Sequence, residues 1–422
     1  MATNKYLVPF ILVTSLFFFW AFLHNMNPIL IPHLKKACQL SDTQSSFIDS
    51  SIYAGYFLIA IPAGLFMHRY GYKKGILVGL ALFAFGYVLF LPAASSRSYV
   101  LFLTALFVVA SGATFLETVA NPFVTLLGDK KTSEQRLNFA QSFNGLGAVV
   151  APILGGQFIL SGIEHSKTEL AQMASRGTLQ PYLQSEADTV KIPALIMVGI
   201  IALVWLLFYF TRFPVVSESS ADVHGTQFNA RVLRHPHLFW AVVAQFFYVG
   251  AQVGVGSFFV KFSHYVIDLP EREAAFRWGY IAMAGFMVGR FTGTFLMRYV
   301  RPATLLSWYA LINIGLLTVA VAATGNMAVY AVMASPFFMS IMFPTIFALG
   351  IKELGEETKL ASSFLVMSII GGGLAPIAMG YISDRTGSMQ TAYVVPLLCF
   401  IAVLYFGIRG YKIKSIQSNA SA

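Results

Sequence analysis

Twelve apolar runs, each long enough to cross a bilayer, constrain this chain more than any other feature. They read as 7–34, 45–67, 75–93, 99–127, 138–162, 192–213, 236–266, 274–297, 302–323, 327–351, 361–382 and 390–411. A helix rises about 1.5 Å per residue, so roughly 20 apolar residues span the hydrocarbon layer. The runs are continuous rather than alternating, which excludes a β-barrel. Only 11% of the residues are charged, against about 25% in soluble domains, so a water-facing fold is excluded as well. The predicted class is an all-α membrane protein with twelve transmembrane helices, and its first partner is the lipid bilayer. The first run follows a six-residue start containing Lys5 and lacks a small-residue cleavage site. It reads as a retained span rather than a removed signal.

A net charge of +10 raises the question of nucleic acid, and the placement of the charge answers it. With the N-terminus inside, the predicted cytoplasmic segments hold 17 of the 28 Lys and Arg residues. The external segments hold 10, three of them in the long 163–191 loop, and Arg290 lies within a span. This is the positive-inside pattern, so the basicity sets topology, with both termini cytoplasmic, and implies no nucleic-acid partner. Cys38 and Cys399 lie in opposite halves outside any CxxC pair, which gives neither a disulfide framework nor a metal site. No cofactor is expected.

The polar segment 214–235 splits the spans six and six. The expected domains are an N-terminal six-helix bundle over 1–213, a cytoplasmic linker over 214–235 and a C-terminal six-helix bundle over 236–422. The halves are also alike in sequence. NPFVTLLG at 121–128 aligns with FPTIFALG at 343–350, and GLGAVVAPILGG at 145–156 aligns with IIGGGLAPIAMG at 369–380. Two matches in the same order imply duplication and pseudo-symmetric bundles. Such pairs of bundles carry a mid-membrane cavity between them and work by rocking. Small residues at 145, 147, 148, 155, 156 and 371–373 suit close helix crossings.

Polar side chains at membrane depth need a partner or a cavity, so each is a candidate site residue. The first span carries Asn25, Asn27 and Pro28. The two asparagines face different directions, and Pro28 leaves the His24 carbonyl without its helical donor. Glu117 is the carboxylate deepest in any span, roughly 15 Å from the cytoplasmic end by helical rise. Desolvation disfavours its charged form, which lets it bind and release a proton near neutral pH. Asn121 follows one turn later on the same face. Asn138, Gln141 and Asn144 form a polar stripe on the fifth span, and Gln245, Tyr248 and Gln252 form one on the seventh. Amides supply both donors and acceptors, which hydroxyl-rich ligands require. Trp20 and Tyr248 offer aromatic faces for the apolar side of a pyranose. Arg290 is placed seven residues from its span end, within snorkelling reach, and reads as an anchoring or gating residue.

These segments resemble the fucose:proton symporter family of the major facilitator superfamily along nearly the whole chain. The resemblance rests on FFFWAFLHNMNPILIPHL at 17–34, FLETVANPFVTLLG at 115–128 and RLNFAQSFNGLGAVVAP at 136–152. In the second half it rests on AQFFYVGAQ at 244–252, GRFTGT at 289–294 and FPTIFALGIKELGEETKLASSFLVMSIIGGG at 343–373. GLFMHRYGYKK at 64–74 resembles the superfamily's cytoplasmic loop signature, with His68 where Asp is usual, and makes Arg69 a gating candidate. The resemblance implies the major facilitator fold and import of a monosaccharide such as a hexose, deoxyhexose or amino sugar, coupled to H+ or in some members Na+. It implies a role for Glu117 in sugar recognition and proton coupling, and cavity positions for Asn25, Gln141 and Asn144. The family's first-span pattern N-x-N-D-I-L reads here N25-M-N-P28-I-L, and proline cannot titrate. Coupling through Glu117 alone, another ion, or uncoupled diffusion then remain.

The sequence therefore predicts a monomeric inner-membrane monosaccharide carrier working by alternating access. A membrane-embedded enzyme is excluded by the lack of paired intramembrane aspartates, a Ser/His pair or HExxH. A sugar sensor would carry a signalling domain, for which the tails and linker are too short. A drug exporter of the same fold would have a largely apolar cavity, which the amide stripes contradict.

Overall fold

Each apolar run folds as a helix because the membrane interior offers backbone groups no other partner. The computed structural model describes residues 7–24, 37–39, 42–158, 167–211 and 230–413. The first bundle begins with α1 (Leu7–His24). A continuous run, Asp42–Ser96, is broken at Gly71, whose φ of 83° and ψ of 170° lie outside helical space. It divides there into α2 (42–70) and α3 (72–96), and only glycine adopts that φ without strain. Then come α4 (Tyr99–Leu126), α5 (Ser133–Phe158) and α6 (Lys191–Phe210). The second bundle holds α7 (Pro236–Ile267), α8 (271–296), α9 (Pro302–Ala322), α10 (Asn326–Gly350), α11 (Gly355–Thr386) and α12 (Met389–Gly410). Twelve spans result, in two six-helix bundles. α7 and α9 both start on a proline, where the missing N–H costs nothing.

The end of the predicted first span, 25–34, and residues 214–229 of the expected linker lie outside the described residues. One difference from the sequence reading has a local cause. The predicted 163–191 loop instead contains two helices, Lys167–Ser175 and Leu179–Asp188. The second buries Leu183 and Ala187, and Gln184 donates to the Ala94 carbonyl at 3.1 Å. Lys191 closes it with a 2.7 Å ion pair to Asp188.

Side-chain caps finish helices that hydropathy cannot terminate. Arg136 donates to the carbonyls of Val124, Thr125 and Asp129 at 3.3, 2.6 and 2.6 Å, satisfying the end of α4. Lys73 does the same for α6 through the Tyr209 and Thr211 carbonyls. Close crossings sit where small residues predicted them: a Cβ on Gly147 would lie 2.5 Å from the Phe18 carbonyl of α1, and one on Gly371 would meet the Phe246 carbonyl of α7. Large apolar side chains such as Ile192, Leu203, Phe210 and Ile377 remain exposed. In water such a belt would be a liability, while against lipid it is the expected outer surface.

The two bundles pack through α2 on α11, α5 on α8 and α5 on α10. Gly64 of α2 lies against Ser363 and the Lys359 carbonyl of α11. Lys352 pairs with Glu134 at 2.7 Å, and Asn138 donates to the Thr345 hydroxyl at 3.1 Å. Lys359, itself buried, sits 5.3 Å over the ring of Tyr72. These contacts all lie in the half of the molecule predicted to be cytoplasmic, so the seam is closed there.

Candidate functional site

The helix α10 cannot run unbroken because Pro336 and Pro344 each remove a donor. It breaks at Ser340–Ile341, near the middle of its span, and frees backbone carbonyls. Arg290 on α8 fills that break: its Nε donates to the Ser340 carbonyl at 2.8 Å. Its NH1 donates to the Gln141 carbonyl of α5 at 2.5 Å, across the seam. The guanidinium also lies 4.7 Å from the Phe286 ring centre. Arg290 is buried, so the snorkelling expected from its position is corrected. The freed Ser340 carbonyl and the Gln141 carbonyl of α5 hold it between the bundles instead.

From Gln141 a chain of hydrogen bonds continues into the first bundle. The Gln141 amide donates to the Asn121 side-chain oxygen at 2.8 Å, and the Asn121 amide donates to the Glu117 carbonyl at 2.8 Å. Tyr56 of α2 donates its hydroxyl to Glu117 Oε1 at 2.9 Å. Glu117, Asn144 and Gln252 each keep partial exposure. The structure thus brings together Glu117, Asn121, Gln141 and Arg290, with Asn144 one turn beyond Gln141.

Other candidates land elsewhere. Trp20 is buried within the first bundle, its ring 4.3 Å from that of Phe17. It lines a void of about 10 Å³ with residues of α3, α4 and α6, so it fills bundle core rather than facing the space between halves. Tyr248 is likewise fully buried and donates to the Met339 carbonyl at 3.0 Å, making it a strut from α7 to α10. Gln245, one turn before it, is fully buried with neither amide atom bonded. Both were expected to face a ligand, and in this arrangement neither does. Arg69 is exposed with its guanidinium 5.3 Å from the Tyr70 ring centre. Asn25, Asn27 and Pro28 lie outside the described residues.

Sequence reasoning missed the groups whose partners come from distant helices. Tyr56 gave no signal beyond being a tyrosine in a span. Glu134 lies one turn before Asn138, and extending the α5 stripe backwards would have found it. That extension also changes what the stripe does: Glu134, Asn138 and the Gln141 carbonyl all face the second bundle.

The comparisons with known proteins agree with this architecture. The sequence profile of the Major Facilitator Superfamily matches residues 10–364. The L-fucose-proton symporter of Escherichia coli is 43% identical over 410 residues, covering 96% of this chain and 93% of that protein. A glucose/galactose transporter of Brucella abortus is 40% identical over 402 residues, covering 95% and 93%. The crystal structure of the Major Facilitator Superfamily transporter FucP in the outward conformation superposes with a TM-score of 0.89 at 41% identity, covering 97% of this chain and 100% of that one. The chain belongs to the Major Facilitator Superfamily, within the family that holds the L-fucose-proton symporters and glucose/galactose transporters.

Proposed function

We propose that this protein imports a monosaccharide by alternating access, with protons coupled through Glu117. The observation that carries the reading is Glu117 itself: a largely buried carboxylate at mid-membrane, backed by Tyr56, Asn121 and Gln141. A carboxylate placed there is costly unless it works. Sugar as the substrate class is supported by relatives named L-fucose-proton symporter and glucose/galactose transporter, and H+ as the coupling ion by the first of these. Glu117, Asn121, Gln141 and Asn144 bind the sugar from the first bundle, together with Asn25 and Asn27. Gln252 serves from the second, joined by Gln245 once the bundles rock. Arg290 gates the seam from within it, and Arg69 acts at the loop below.

The domains run 1–213 and 236–422, joined by a cytoplasmic linker, and rock as units. Both termini face the cytoplasm, the protein sits in the inner membrane, and it works as a monomer. Pro28 favours a second reading, a sodium-coupled or uncoupled facilitator, because the family's first-span aspartate is absent. Counterflow of radiolabelled hexoses, deoxyhexoses and amino sugars into proteoliposomes, with and without sodium and at several pH values, tests both. Exchange of at least one monosaccharide with pH-dependent accumulation is expected. No exchange of any sugar refutes the reading, and accumulation that follows sodium instead selects the alternative.

A further inference from the structure

Tyr56 is almost fully buried on α2, and its hydroxyl ends on Glu117 Oε1 at 2.9 Å. One turn away on the same helix, Tyr53 lies against α11. A Cβ built on Gly372 would meet its ring and hydroxyl at 3.1 Å, and one on Gly373 would meet its ring at 3.4 Å. Glycine at these two positions therefore seats the Tyr53 ring directly on the second bundle. One short stretch of α2 thus holds the carboxylate of the first bundle and touches the moving partner.

We propose that Tyr56 is the positioning residue for Glu117, and that Tyr53 seated on Gly372 and Gly373 makes that positioning depend on how the bundles meet. The inference rests on the assignment of proton coupling to Glu117. In the closed seam, Tyr56 fixes the carboxylate rotamer by donating to Oε1. When α11 withdraws from Tyr53, α2 is released, and the hydrogen bond loosens with it. The carboxylate's proton affinity then changes with conformation, as a coupled carrier requires.

The groups around Glu117 leave few competing causes. Among the described residues Tyr56 is the titratable side chain shown bonded to it, with Tyr53 one turn away on α2. Arg290 on α8 reaches it only through Gln141 and Asn121, and Tyr248 on α7 bonds the Met339 carbonyl instead.

The test measures the pH midpoint of sugar-driven proton uptake in proteoliposomes, with sugar counterflow as the control for folding and binding. Tyr56→Phe is expected to keep counterflow and to move the midpoint by about one pH unit, the worth of one hydrogen bond to a charged group. Tyr53→Ala is expected to move it the same way. An unchanged midpoint in Tyr56→Phe with counterflow intact overturns the positioning role, and one in Tyr53→Ala overturns the link to α11. Glu117→Asp keeps Tyr56 but draws the carboxylate one carbon away, so it too is expected to shift the midpoint. Adding Tyr56→Phe to it is expected to shift it no further, and additive shifts overturn the proposal. If Glu117→Gln still drives uphill accumulation, the coupling assignment itself fails, whatever Tyr56 does.

Discussion

Breaking the Glu134–Lys352 pair should tip the carrier toward opening its closed face. Glu134 is buried on α5, with its side chain 4% exposed, while the Lys352 side chain is 37% exposed. Removing the lysine leaves the carboxylate with a hydrogen bond from the Ser133 hydroxyl at 3.0 Å and the nearby charge of Arg136. Losing one partner of a buried pair costs about 3–5 kcal/mol, but solvent at the lysine end screens the pair. A fair magnitude for Lys352→Met is therefore about 1.5 kcal/mol, the lower end for a hydrogen bond to a charged group. That is roughly a tenfold shift in the ratio of the two states. Spin labels on the predicted cytoplasmic ends of α4 and α10, read by electron–electron double resonance, measure that ratio. The charge swap Glu134→Lys with Lys352→Glu should restore it. An unchanged distance distribution in Lys352→Met, or a swap that rescues nothing, would refute the assignment of this seam as the gate.

Two further outcomes follow from the geometry. Gln141→Ala removes the bond to Asn121 and should weaken sugar affinity about fivefold, roughly 1 kcal/mol, without loss of membrane-inserted protein; titration by tryptophan quenching or equilibrium binding reads it, and unchanged affinity removes Gln141 from the site. Gly64→Leu places a side chain where α11 now sits, so it should hold the bundles apart on that side. It should abolish transport while label accessibility from that face rises, and full activity would contradict the close approach.

The fold was legible in the sequence to the extent that hydropathy dictates it. A bilayer admits no alternative to helices for these runs, so twelve spans and the halves could be read from residue types alone. The two short helices at Lys167–Ser175 and Leu179–Asp188 were not legible, because they are polar segments without an apolar run, and the second is fixed by docking against α3. Glu117, Asn121 and Gln141 were legible as an isolated carboxylate and amides on defined helical faces. Trp20 and Tyr248 misled because periodicity locates a face of a helix but not which neighbour that face meets. Trp20 meets its own bundle, and Tyr248 meets the α10 break. Arg290 was read as able to snorkel, yet it is held by the Ser340 carbonyl, freed by prolines on α10, and by the Gln141 carbonyl of α5, which no reading of α8 could reveal.

The most direct test of the central claim follows sugar and protons together in proteoliposomes made with wild type and with Glu117→Gln. The wild type should take up protons when sugar enters and concentrate sugar under a pH gradient. Glu117→Gln should exchange sugar by counterflow yet move no protons and build no gradient. Uphill accumulation by Glu117→Gln, or sugar entry in the wild type without proton movement, would contradict coupling through this carboxylate.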